Sequence, residues 1–372
     1  MGTLLFESKW TNRKMNNPLK MKFWGLTETG SASALFIRPQ LSTIRNRFGY
    51  PYHQWMTYEF DEPGWNLVQR SLSQNRAHDV TLLIEGPDGR FAMMAKHSYP
   101  PGIYRSPSGG VKPGEDFTGG ALREAVEETG LRCEIKRFLV HITLDIGFQG
   151  QVATWDSYVF YATTKDTELA FTDHREVREV KWANREQVLD LIIRLRETHN
   201  GGLMYRGDLT ASSLWTLDNP LTLREAKSFD MPGIERSIHD SRADDVPMDR
   251  TLAWVSEIQG LDSGWVAVTA HEDCLEITGL SVDPVYRGKG MNHVLVEYAC
   301  DQWKHLEKRK KFAQISQKFL REYLWMATPS PGYYLPLGFT ISDKADLPPT
   351  LANRLSGPRS KWSGIKFRLY HK

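Results

Sequence analysis

Cysteine is scarce: the 372-residue chain holds three, Cys133, Cys274 and Cys300, far apart and without a C-x-x-C spacing. That excludes a disulfide framework and a cysteine-built zinc site, and it fits a reducing, cytoplasmic setting. Long apolar runs are missing as well. No stretch nears the roughly 20 apolar residues that cross a bilayer, and the mean hydropathy is -0.46, so no membrane partner is expected. An excess of one charge is also lacking. With 47 basic against 45 acidic side chains the net charge is +2, too balanced for bulk attraction to nucleic acid to be the main function. The N-terminus lacks the apolar core and small-residue cleavage site of a secretory signal.

What remains is an ordinary globular composition, 40% hydrophobic and 25% charged, over a length that suggests two or three domains. Residues 1–22 carry Lys9, Arg13, Lys14, Lys20 and Lys22 against Glu7, and read as a basic, disordered tail. Residues 23–75 crowd Phe48, Tyr50, Tyr52, Trp55, Tyr58 and Phe60 beside Arg45 and Arg47. These rings are expected to pack on the following domain; stacking on RNA bases is the alternative. From there the pattern predicts a hairpin, Val80 to Ile84 and Arg90 to Ala95 around Gly86-Pro87-Asp88-Gly89. A helix follows from Asp116 to Thr129, capped by Gly130. Strands at Ile135 to Thr143, Thr154 to Ala162 and Val177 to Trp182 precede a helix from Arg185 to Arg196. Asp218-Asn219-Pro220 breaks the chain, so 218–220 reads as a linker and 221–372 as a unit expected to fold separately.

Gly109-Gly110-Val111-Lys112-Pro113-Gly114-Glu115 leads into Arg123-Glu124-Ala125-Val126-Glu127-Glu128-Thr129-Gly130-Leu131. Glu124, Glu127 and Glu128 stand at i, i+3 and i+4 and share one helix face. Their mutual repulsion is relieved by a hard divalent cation bound through oxygen, Mg2+ or Mn2+. The string resembles the Nudix box, with Gly109, Glu115, Arg123, Glu124, Glu127, Glu128 and Gly130 at its fixed positions, over residues 76–217. The resemblance implies an α/β/α sandwich with a mixed sheet. It also implies metal-dependent hydrolysis of a nucleoside diphosphate linked to another group, with Gly109, Glu124, Glu127 and Glu128 as metal ligands. Glu115 and Arg123 would brace the loop, and the base would be a box glutamate such as Glu127 or Glu128, or else Glu176 or Glu179. Asp145 to Gln149 stand where some subfamilies carry a diagnostic proline or tyrosine, so the nucleotide is not named. A dimer is compatible with the resemblance.

A second pattern runs from Leu275 through Arg287-Gly288-Lys289-Gly290-Met291-Asn292: a strand, a glycine-rich basic turn, then an amphipathic helix. Such a turn presents N–H groups to a pyrophosphate. It resembles the GNAT acetyltransferases, whose [Gln/Arg]-x-x-Gly-x-[Gly/Ala] motif is met by Arg287 and Gly290, with Asn292 departing from it. Tyr333-Tyr334-Leu335-Pro336-Leu337-Gly338-Phe339 is similar to a later family segment. This implies an α+β domain with a central mixed sheet and acetyl-CoA bound by Leu280, Val282, Arg287, Gly288, Lys289, Gly290, Met291 and Asn292. An amine would accept the acetyl group, with Tyr334 as acid and Glu276 as possible base. The run Lys308 to Lys311 reads as a solvated helix end.

The expected function is therefore a bifunctional enzyme acting on a nucleotide-type small molecule and an amine. One alternative keeps the Nudix activity and makes the second unit a ligand-sensing or docking module. Another turns the Nudix site toward RNA 5′ ends.

Overall fold

The computed structural model describes residues 32–112, 114–241, 246–306, 323–356 and 359–368. The expected tail at 1–22 and the basic run Lys308 to Lys311 lie outside them.

The first half is built on a mixed sheet. Its strands are β1 (Tyr52–Glu59), β2 (His78–Glu85), β3 (Phe91–Lys96), β4 (Ser108–Gly109), β5 (Cys133–Phe148), β6 (Gln151–Thr164) and β7 (Val177–Ala183). The order is β1-β5-β6-β2-β3-β7, with β4 paired to β2. β2 is aliphatic on both faces, as a strand covered on both sides must be. Leu83 joins a core with Trp65, Val68, Val188, Leu191 and Leu209, from α2 (Glu62–Ser73), α4 (Arg185–Glu197) and α5 (Gly201–Asp218). Leu82 and Ile84 face Leu41, Ile44, Phe117 and Ala121, from α1 (Ala32–Phe48) and α3 (Phe117–Thr129). This is the expected sandwich. α3 runs between Asp116, whose carboxylate accepts from Gly119 N, and Gly130 in the left-handed conformation, matching the sequence reading. The predicted hairpin is looser than drawn: β2 and β3 pair only at Glu85 and Phe91, because β4 takes up Val80 and Thr81.

The second half is another mixed sheet, in the order β13-β14-β12-β11-β10-β9-β8. It comprises β8 (Leu221–Glu225), β9 (Thr251–Ile258), β10 (Leu261–Ala270), β11 (Leu275–Val282), β12 (Tyr323–Thr328), β13 (Phe339–Ile341) and β14 (Ser363–Arg368), with α6 (Met231–Ser241), α7 (Met291–Leu306) and α8 (Pro349–Arg354). The parallel strands β11 and β12 pair only at Leu275–Leu324 and Glu276–Trp325. Beyond Glu276 they have parted, and the edge of β11 toward Val282 faces a gap.

Within the described residues, the segment from Arg45 to Glu59 does more than cover the first sheet. β1 joins it, parallel to β5, with Tyr52 opposite Val140 and His53 opposite His141. Tyr52 itself is fully buried, in the core of the second half beside Trp254, Val266 and Leu295. Arg45 reaches Glu297 at 3.1 Å and Asp301 at 2.8 Å, and Tyr50 Oη donates to Asp301 at 3.0 Å. Tyr50 and Tyr52 therefore pack between the halves, while Phe48, Tyr58 and Phe60 pack on the first and Trp55 is exposed. Arg45, Phe48, Tyr50 and Tyr52 are committed to protein partners.

Candidate functional site

The glutamate face of α3 is organised by one side chain. Arg123 donates to Glu115 Oε1 at 2.8 Å and Oε2 at 3.1 Å, to the Gly110 carbonyl at 2.9 Å, and to Glu124 and Glu127, each at 2.8 Å. Loop and helix are thus clipped together by a planar fork that lysine could not reproduce. The Arg123 guanidinium holds the Glu115 carboxyl below its ordinary range.

Gly109 is anchored in the sheet opposite Val80, and a Cβ at this position would overlap the Glu124 carboxylate. A side chain there would push the Glu124 carboxylate out of its present place, so glycine keeps loop and carboxylate close. Glu128 is 3% exposed; it accepts from Ser108 N at 2.6 Å and faces Arg105, equally buried, at 3.5 Å. Burial pushes the Glu128 carboxyl upward against the pull of Arg105. Burial likewise raises Glu124, with Glu127 and Glu176 adding to the effect. Gly109, Glu124, Glu127 and Glu128 are thus gathered at one place. Desolvated carboxylates beside a backbone carbonyl suit a hard divalent cation, which would offset both the burial and the repulsion.

Glu176, just before β7, is within electrostatic reach of Glu124 and is bonded to Lys96, which holds its carboxyl low. Glu179 instead lies within β7 opposite Ala95 and is hydrogen-bonded with Tyr104. Sequence reasoning missed Lys96, Arg105 and Ser108. Ser108 immediately precedes Gly109 and carried a signal; the other two come from β3 and its following loop, and only the fold brings them in.

In the second half a cavity of about 410 Å3 lies at the mouth of the β11–β12 gap. Leu280, Val282, Arg287, Gly288, Met291 and Asn292 line it, beside the N-terminus of α7, where the first N–H groups of a helix have no intrahelical acceptor. Lys289 and Gly290 are elsewhere. The Lys289 ammonium sits over the Trp215 ring at 4.1 Å, and a Cβ on Gly290 would overlap the His53 carbonyl. Tyr333, missed in favour of its neighbour, lines the cavity and donates to Asn292 Oδ1 at 3.1 Å. Tyr334 packs against the core with Phe339, and burial raises its hydroxyl pKa. Two adjacent tyrosines look alike in sequence; the backbone turn decides which one faces the cavity. Glu276 is fully buried in β11 and bonded to Arg354 and to His271, the latter at 3.0 Å. It is not among the residues lining this cavity.

Among known proteins, the family model described as NUDIX domain matches residues 75–203. An RNA pyrophosphohydrolase of Caulobacter vibrioides is 29% identical over 130 residues, covering 31% of this chain and 76% of the relative. One from Dinoroseobacter shibae is 31% identical over 105 residues, 24% of this chain and 65% of the relative. Among solved structures, the N-acetylglutamate synthase of Neisseria gonorrhoeae aligns with a TM-score of 0.32 at 16% identity, over 49% of this chain and 50% of that one. The MutT protein of Bacillus halodurans aligns at 0.26 and 22% identity, over 31% of this chain and 72% of that one. No helix among the described residues is long and apolar enough to cross a membrane. With the box residues assembled on α3 and the family model spanning the sheet around them, residues 75–203 of this chain match a NUDIX domain.

Proposed function

We propose that the first half hydrolyses a phosphoanhydride bond in a nucleoside-diphosphate-linked substrate with magnesium or manganese. The observation that carries this reading is the Arg123 clip, which holds Glu124 and Glu127 beside Gly109. Glu124, Glu127, Glu128 and the Gly109 carbonyl would hold the cation, which when bound neutralises phosphate charge and acidifies water. Glu176, whose carboxyl Lys96 holds low, would take the proton from the attacking water. Arg123 fixes Glu124 and Glu127 and Ser108 and Arg105 hold Glu128, so these carboxylates are positioned before substrate arrives. The names of the relatives favour a 5′-triphosphorylated RNA end as substrate. The test is a panel of nucleoside diphosphate compounds and triphosphorylated RNA, with magnesium, reading released phosphates by mass. Release from none of them would overturn the reading.

A second activity, transfer of acetyl from acetyl-CoA to an amine, is favoured by one feature: the parting of β11 and β12 beside a helix N-terminus. An extended pantetheine chain could pair with the open edge of β11 while the pyrophosphate meets the first turn of α7. Tyr334 is the proposed acid. Glu276 serves this reading less well, since Arg354 and His271 already hold it in the sheet. Acetyl-CoA should raise the melting temperature without magnesium; no shift would leave the second half a sensing or docking module.

A further inference from the structure

The parallel pairing of β1 with β5 sets His53 directly opposite His141, with ring centroids 4.1 Å apart. α7 of the second half lays Glu297 against them. One ligand atom from each of His53, His141 and Glu297 lies within 4.8 Å of the other two. His293 is one turn before Glu297 on the same helix face, its ring centroid 4.9 Å from that of His53. None of these residues belongs to either site described above.

The hydrogen bonds fix what each ring presents. His293 Nε2 is 3.0 Å from the Tyr333 carbonyl, which only accepts, so Nε2 carries the proton and Nδ1 is a bare lone pair. His141 Nε2 is 2.9 Å from an Asp156 carboxylate oxygen, so it too donates on that side. Thr143 Oγ1 donates to the same carboxylate at 3.0 Å and is therefore left to accept from His53 Nε2, also at 3.0 Å; His53 Nδ1 is then bare as well. His53 Nδ1, His293 Nδ1 and Glu297 Oε2 are all buried without any partner, on residues 2%, 2% and 9% exposed. Three acceptor atoms of this cluster are thus buried with no donor to satisfy them, which costs free energy at each. Around them Glu297 and Asp301 share one guanidinium, that of Arg45, while Asp156 faces His141.

We infer that His53, His141 and Glu297, with His293 or water in the fourth position, form a binding site for a divalent transition metal of the zinc type that joins the two halves of the chain. Imidazole nitrogen with one carboxylate oxygen is a donor set that zinc takes and magnesium avoids. Asp156 on His141, Thr143 on His53 and the Tyr333 carbonyl on His293 are the outer hydrogen bonds that orient metal-binding imidazoles. Ligand atoms within 4.8 Å of one another are close enough for small side-chain rotations to bring them to metal–ligand bonds of about 2.0 to 2.1 Å. Ligands drawn from β1, β5 and α7 would make the metal a clasp between the sheets.

The full chain, purified without a histidine tag or chelator, is analysed for metal by mass spectrometry and titrated with Co2+. The expected result is one zinc per chain and, after exchange, the intense visible absorption of tetrahedral cobalt. Both are lost in Glu297→Gln and His53→Gln and kept in Glu127→Gln, which alters only the magnesium face. Zinc retained equally by the two site variants, or wild type with neither zinc nor a tetrahedral cobalt spectrum, overturns the inference. The wild-type cobalt spectrum decides even where a variant does not fold.

Discussion

The carbonyl oxygen of His53 occupies the place beside Gly290 where a side chain would begin. Gly290 was expected to be glycine for the sake of a pyrophosphate; it is also glycine because β1 of the other sheet passes against it, at a φ of +76°. Gly290→Ala should destabilise the ligand-free chain by about 3 kcal/mol, adding overpacking to left-handed strain. Gly288→Ala has the same φ of +76° but open space around it, and should cost only about 1 kcal/mol. Urea unfolding of both variants reads the difference; equal costs would remove His53 from the explanation.

The contact bears on whether the halves separate. The sequence suggests that 221–372 folds alone, yet its core includes Tyr52 and is flanked by Tyr50 and Trp215. Tyr52→Ala in the full chain should cost about 3 to 5 kcal/mol. Residues 219–372 expressed alone should lack a cooperative thermal transition, and one matching that of the full chain would show that Tyr52 is dispensable.

His78, buried with neither ring nitrogen hydrogen-bonded, has its pKa lowered by burial to about 4. The folded value is below the unfolded one, so the fold is favoured fully above the unfolded pKa of about 6.5 and loses stability as pH falls toward 4. Between pH 7 and pH 5 this group should remove about 2 kcal/mol. His78→Gln should flatten the stability profile over that interval by a comparable amount, measured by denaturant titration at each pH. A slope identical to wild type would show that His78 does not titrate there.

Tyr333 and Tyr334 can be told apart. Tyr333→Phe breaks the bond to Asn292 and should weaken acetyl-CoA binding by less than about tenfold, the scale of one hydrogen bond. Tyr334→Phe should leave affinity alone and slow acetyl transfer by about 10²-fold. The reverse pattern would move the acid role to Tyr333.

The box was legible because its chemistry is local: Gly109 to Gly130 is one loop and one helix, and the i, i+3, i+4 spacing already places three carboxylates together. The helix capped by Asp116 and Gly130, the break at Asn219-Pro220 and the strand from Leu275 were readable for the same reason. What was not readable depends on register between distant segments. Nothing in Tyr50 to Trp55 announces that β1 pairs in parallel with β5, and from that pairing follow the His53–His141 contact, the seat of Tyr52 and the crowding at Gly290. α5 also escaped, because its apolar residues lie around most of its circumference and do not form a single stripe. Glu276 looked available in sequence, and the fold gave it to Arg354.

In the proposed reaction the α3 carboxylates hold the cation that hydrolysis requires. Turnover of the best substrate is measured against magnesium concentration for wild type, Glu124→Gln and Glu127→Gln, with circular dichroism and melting temperature recorded on the same samples. Wild type should show no turnover in chelator and saturable activation by magnesium, and each variant should lose about 10²-fold or more with the fold retained. Wild-type turnover in chelator, or full activity in both variants, would contradict it.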